Sequence, residues 1–145
     1  FVKAMRSPHS GTRRFAAASL GNVHAAAVPS AGGLRETLVE LLKRAATDPS
    51  KKVRKQAPAL LGLDVDEQRK ATEFVPLLLP LLTDRSWRVR WRTAFDLCGE
   101  WARHVPLETA AYALSVERDP RARRMTERLV RAIVRNREKS SAARD

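Results

Sequence analysis

Cysteine, aromatic side chains and long apolar runs are all scarce in this chain of 145 residues. The single cysteine, Cys98, excludes an intramolecular disulfide and any zinc site built on cysteines. It fits a reducing compartment, so the expected location is the cytoplasm or the nucleus. No apolar stretch approaches the roughly 20 residues of a membrane span. The longest, Phe74 to Leu82, holds Pro76 and Pro80 and then meets Thr83-Asp84. Behind Phe1–Arg6 there is no long apolar segment of the kind a signal peptide needs. Beginning at Phe, the chain reads as a fragment or a processed form. Aromatic residues are only 6%, which leaves few rings for stacking single-stranded bases.

Catalytic groupings are equally thin. His9, His24 and His104 have no helical metal-ligand spacing and no Cys or acidic partner nearby in sequence. No glycine loop could cradle a phosphate, because Gly32-Gly33 close a Pro-Ser-Ala-Gly-Gly linker and open a helix. Asp64, Asp66 and Glu67 are expected to cap the next helix rather than bind a metal. The chain is therefore read as a non-enzyme with no cofactor and no metal. A glycosylase-like alternative would need a carboxylate of raised pKa deep in a concave face.

What the chain has is charge. Hydrophobic residues make up 43% and charged residues 30%, enough for a packed core. Lys and Arg total 28 against 16 Asp and Glu, for a net charge of +12. Such a surplus calls for acidic partners. It is uneven: residues 118–145 hold 10 basic and 4 acidic side chains, whereas residues 71–117 hold 5 and 6.

Four arginine-centred segments align. Ser7-Pro8 leads to Arg13, Asp48-Pro49 to Arg54, Asp84-Arg85 to Arg90 and Asp119-Pro120 to Arg123. The residues before those arginines, Thr12, Val53, Val89 and Ala122, are 41, 36 and 33 residues apart, which suits a two-helix repeat. In each segment a polar turn stops one helix, and a second follows with apolar residues on one stripe. Val53, Ala57, Leu60 and Leu61 form such a stripe, as do Val89, Ala94 and Leu97. Before the turns lie further apolar helices, one through Leu34, Leu38, Leu41 and Leu42, another through Phe74, Val75, Leu78, Leu79 and Leu82. The predicted helices are 12–27, 33–46, 51–62, 71–82, 87–104, 107–117 and 121–137. Pro58 predicts a kink or early break.

Val53-Arg54 and Val89-Arg90 after aspartate-containing turns resemble the HEAT-repeat family. The resemblance implies an all-α, right-handed solenoid of about four helix pairs spanning residues 1–138. Its repeats would be 1–28, 33–64, 71–105 and 107–137, with residues 139–145 as a frayed tail. Phe74-Val75-Pro76-Leu77 through Trp87-Arg88-Val89-Arg90-Trp91 further resembles the family of scaffolding A subunits of protein phosphatase 2A. In that family the turns form a ridge that holds regulatory and catalytic subunits. By position, the ridge would include Pro8, His9, Pro49, Lys51, Arg85, Trp87 and Arg88. The chain departs from that family in being strongly basic.

Arg13, Arg54, Arg90 and Arg123 are expected to be structural, bonding turn aspartates such as Asp48 and Asp84. Trp87 and Trp91, beside Arg88 and Arg92, have the composition of a binding hot spot. Trp87 could equally cover the adjacent repeat's turn. Trp101 is expected in the core, and Cys98 as a buried contact. Arg121, Arg124, Arg128, Arg131 and Arg135 step by three and four along one helix face, beside Met125, Leu129 and Ile133. The functional expectation is a protein–protein scaffold with acidic partners, phosphatase subunits among them. The competing reading is a nucleic-acid-associated HEAT subunit of a ribonucleoprotein or other large assembly.

Overall fold

The computed structural model describes residues 2–20, 32–63 and 66–143, and every regular element among them is helical. The chain divides into two compact units, residues 1–78 and 79–145.

The first unit holds α1 (Val2–Met5), α2 (Ser10–Leu20), α3 (Gly32–Thr47) and α4 (Lys51–Arg54). A 3-10 turn (Ala57–Gly62) follows, then α5 (Glu67–Arg69), a π-helical turn (Lys70–Phe74) and α6 (Val75–Leu78). The second unit holds a 3-10 turn (Leu79–Thr83), α7 (Trp87–Leu97), a second 3-10 turn (Glu100–His104), α8 (Leu107–Val116) and α9 (Pro120–Ala142). Residues 21–27 of the first predicted helix, and the side chain of Leu34, lie outside what is described.

Proline explains most departures from ideal α geometry. Pro58 lacks an N–H and its ring would meet the carbonyl of Arg54, so α4 stops at Arg54 and the chain tightens into a 3-10 turn. The expected break is therefore present. Pro76 and Pro80 impose the same constraint on the run from Glu67 to Thr83. It widens to π geometry just before Pro76 and tightens to 3-10 geometry around Pro80. The predicted helix 87–104 is interrupted at Cys98-Gly99 and resumes as a 3-10 turn. At the other end α9 continues through Ala142, past the expected start of fraying at 139. No Pro or Gly stops it there, and Arg, Glu, Lys and Ala favour helix.

Buried side chains follow the predicted stripes. Leu38, Leu41, Leu42, Val53, Ala57, Leu60 and Leu61 are buried in the first unit, with Phe74, Val75 and Leu78. Val89, Ala94, Leu97, Trp101, Met125, Leu129 and Ile133 are buried in the second. Two buried threonines, Thr93 and Thr126, satisfy their hydroxyls on the carbonyls four residues back, Val89 at 2.9 Å and Ala122 at 3.0 Å. Lys70 is also buried, its ammonium donating to the carbonyls of Leu61 (3.0 Å) and Leu63 (2.9 Å). It thereby occupies carbonyls that the ending 3-10 turn leaves open.

One polar clip recurs at four turns among the described residues. Arg13, Arg54, Arg90 and Arg123 each donate to the backbone carbonyl six residues earlier, on Ser7, Asp48, Asp84 and Glu117. The carboxylates of Asp48, Asp84 and Glu117 each accept the backbone N–H two residues on, at 2.8 Å. Arg13 and Arg90 reach forward as well. Arg13 forks onto Asp48 at 2.7 and 3.1 Å, and Arg90 forks onto Glu117 at 2.5 and 2.7 Å. The expected structural role of the repeated arginines is present, with one change of register. The fourth turn carboxylate is Glu117, not Asp119, because the six-residue spacing to the arginine is kept.

The Glu117 side chain is 1% exposed, so removing its partner strands a buried carboxylate. Arg90→Ala is expected to lower the unfolding free energy by about 3 kcal/mol. Arg44→Ala breaks only the exposed pair with Glu40 and should cost ~0.5 kcal/mol or less. Urea denaturation of the two variants measures the difference. Equal midpoints would mean that the clip is not what holds the second unit.

Candidate anion-binding face of α9

The proposed ridge residues divide between the units, and Lys51, Trp87, Arg88 and Trp91 lie in helices rather than in the expected turns, because α4 begins at Lys51 and α7 at Trp87. Pro8 and His9 are exposed ahead of α2, and Pro49 and Lys51 are exposed at the start of α4. Their backbone is already engaged: the carbonyls of Pro8 and Pro49 accept from Arg13 and Arg54, both at 2.9 Å. Lys51 projects from a helix of one turn, whereas Arg85, Trp87, Arg88 and Trp91 belong to the second unit.

Trp87 begins α7 and is half-buried. Its indole lies under the Arg121 guanidinium, 3.6 Å from the ring centroid, with Arg88 at 5.0 Å. Arg121 is in turn held by Asp119 at 3.0 Å. Asp119 is the N-cap of α9, accepting the N–H groups of Arg121 (2.9 Å) and Ala122 (3.4 Å), with Pro120 opening the helix. Trp87 thus packs against the start of α9, the covering role, and its ring face is occupied. Trp91 stacks on Phe95 at 5.2 Å and 11°, and Phe95 is 49% exposed. Phe95 was missed by sequence reasoning, although its spacing of four from Trp91 on a helix is the signal that finds it.

Along α9 the five stripe arginines share a face beside the buried Met125, Leu129 and Ile133. Arg121 is used by Asp119 and Trp87. Among the described residues, Arg124, Arg128, Arg131 and Arg135 make no ion pair and no side-chain hydrogen bond, and all four are exposed. Lys139 extends the stripe by one more step of four. From Arg124 to Lys139 the stripe runs ~22 Å.

Arg128, Arg131, Arg135 and Lys139 line one side of a cleft of about 570 Å³, and the Cys98-Gly99 turn forms the other. Cys98 is half-exposed rather than buried, because α7 ends at Leu97 and the chain turns there. Gly99 is exposed, and a Cβ there would meet no neighbour.

Carboxyls in this unit are perturbed in two directions. Burial pushes Glu117 up, but Arg90 and two backbone N–H groups together outweigh it and hold it below the usual range. The Arg121 hydrogen bond, with the capping N–H groups, lowers Asp119 to about 2. Burial raises Asp96 above the usual range, against the pull of Arg92 at 2.6 Å. Asp96 lines neither that cleft nor the smaller one at Arg103 and Arg137. Asp66 caps α5 through the Arg69 N–H at 2.9 Å, the expected role, whereas Asp64 and His24 lie outside the described residues. Among the described residues no group of three His, Cys, Asp or Glu is placed to hold a metal ion.

Because Asp119 and Glu117 are depressed in the folded state, their stabilisation is complete above the unfolded carboxyl values of about 4. It is lost as pH falls through the folded values, reaching about 2 for Asp119. Asp119→Asn, which keeps a capping oxygen, should lower Tm at neutral pH and flatten the Tm decline between those limits. Trp87→Ala should lower Tm by roughly a few °C through loss of the Arg121 contact. Calorimetry across pH tests both; an unchanged acid limb in Asp119→Asn would remove Asp119 from this role. No protein-family model, curated protein or solved structure matches the chain.

Proposed function

We propose that the chain is a non-catalytic adaptor, a right-handed α-solenoid of about four HEAT-like helix pairs that holds an acidic protein partner on α9. The observation that carries the reading is the contrast between two sets of arginines. Those at the turns are consumed by carbonyls and carboxylates, whereas Arg124, Arg128, Arg131 and Arg135 make no ion pair and no side-chain hydrogen bond among the described residues. Like charges at this spacing destabilise a helix, so an anionic partner is favoured by relief of repulsion as well as by direct pairing. The six-residue clip, repeated at four turns, supports the repeat architecture. By the family resemblance, phosphatase catalytic or regulatory subunits are among the candidate partners, in the cytoplasm or nucleus. The reading as a non-enzyme is supported by the paired carboxyls Asp48, Glu117 and Asp119, which hold turns and a helix cap.

Fluorescence anisotropy with labelled polyglutamate and a nucleic-acid duplex, each across a salt series, tests this assignment. Saturable polyglutamate binding is expected. Reversing Arg124 and Arg135 to Glu should weaken it by roughly 10-fold, or about 1.4 kcal/mol. A duplex that outcompetes polyglutamate, with a log–log salt slope of several units, would instead establish the nucleic-acid-associated reading.

A further inference from the structure

The cleft beside the Cys98-Gly99 turn is more specific than a basic surface. Four cations, Arg128, Arg131, Arg135 and Lys139, line it, and no carboxylate does. We propose that this cleft binds a phosphorylated serine or threonine on a linear segment of the partner protein. The proposal rests on the adaptor reading and names the chemistry of its ligand.

Charge and geometry favour a phosphoryl group over a carboxylate. A carboxylate carries one negative charge and pairs well with one guanidinium fork. A phosphoserine carries about −1.5 to −2 and offers three strong acceptor oxygens, enough to engage several arginines at once. Arg128, Arg131 and Arg135 lie at successive steps of three and four on α9, rising ~4.5 and ~6 Å. They can therefore approach one dianion from the same wall. Recognition of phosphorylated motifs by arginine clusters works by this arithmetic.

Size and lining argue against a nucleic-acid strand. At about 570 Å³ the cleft is of small-ligand size and takes one phosphoryl group with its neighbouring residues. The rest of its wall is Ala132, Asn136 and the Cys98-Gly99 turn, with no ring on which a base could stack. The open space at Gly99 leaves room for a peptide backbone to pass.

The test uses the full chain and two labelled peptide libraries of ~12 residues, alike except for a central phosphoserine or serine. The phosphoserine library is expected to bind at least roughly 10-fold more tightly. Arg128→Gln with Arg131→Gln should bring it down to the serine level, and Arg137→Gln, elsewhere on α9, should stay within about twofold. All three side chains are exposed, so circular dichroism should report an unchanged fold. Equal binding of the two libraries, with polyglutamate still bound, would overturn the cleft proposal and leave the adaptor. Absence of saturable binding of both polyglutamate and phosphopeptide to the unaltered chain would overturn both. A single-stranded RNA of matched length that binds more tightly than the phosphopeptides, and is lost in the same double variant, would make the cleft a nucleic-acid site.

Discussion

At four turns an arginine reaches back to the carbonyl six residues earlier, at the head of the turn, and the helices on either side depend on that contact. A tight polar turn between helices leaves carbonyls and N–H groups without partners, and burying them unpaired is costly. The guanidinium supplies donors to the carbonyls, and the carboxylate at the head of the turn accepts the N–H two residues on. Where the same arginine also forks onto the next turn's carboxylate, as Arg13 does with Asp48 and Arg90 with Glu117, two turns are fixed by one side chain. A lysine could not make these contacts together, because it lacks the planar fork.

With the turns closed this way, the helices need only bury one stripe each. Small and β-branched residues at the anchor positions, such as Val53, Val89 and Ala122, let the helices approach. Thr93 and Thr126, four residues on, hide their hydroxyls against their own helix. Proline then tunes the helices without destroying them. Pro58, Pro76 and Pro80 convert stretches of α geometry into 3-10 or π geometry, yet Ala57, Leu60, Val75, Leu78 and Leu81 near them stay buried.

The same economy separates structural from available charge. Of the arginines in the second unit, Arg90 is bound in its turn and Arg121 is shared by Asp119 and Trp87. Beyond Arg121, Arg124, Arg128, Arg131 and Arg135 make no ion pair among the described residues, and Glu127 pairs with Arg123 instead. Trp87, which has the composition of a hot spot, is instead part of the scaffold that orients α9. The exposed aromatic surface in this region is Trp91 with Phe95. A surface that concentrates free cations on one rigid 23-residue helix is preorganised for an anion, since binding need not order the backbone.

Helicity, the positions of the apolar stripes and the repetition of the turn arginines are legible in the residues alone. Those follow from local rules: periodicity of 3.6, the missing N–H of proline and the turn preference of Asp-Pro. The sequence also places five arginines on one face of α9, since a helix's faces follow from spacing alone. Which of those charges are free depends on the packing of one element against another. Arg90 and Glu117 are 27 residues apart, and packing alone brings the guanidinium onto the carboxylate. Glu117 became the turn carboxylate, and Cys98 the wall of a cleft, for a similar reason. Pairing and exposure depend on what a second element brings to within about 3 Å, and spacing along one helix carries no record of that.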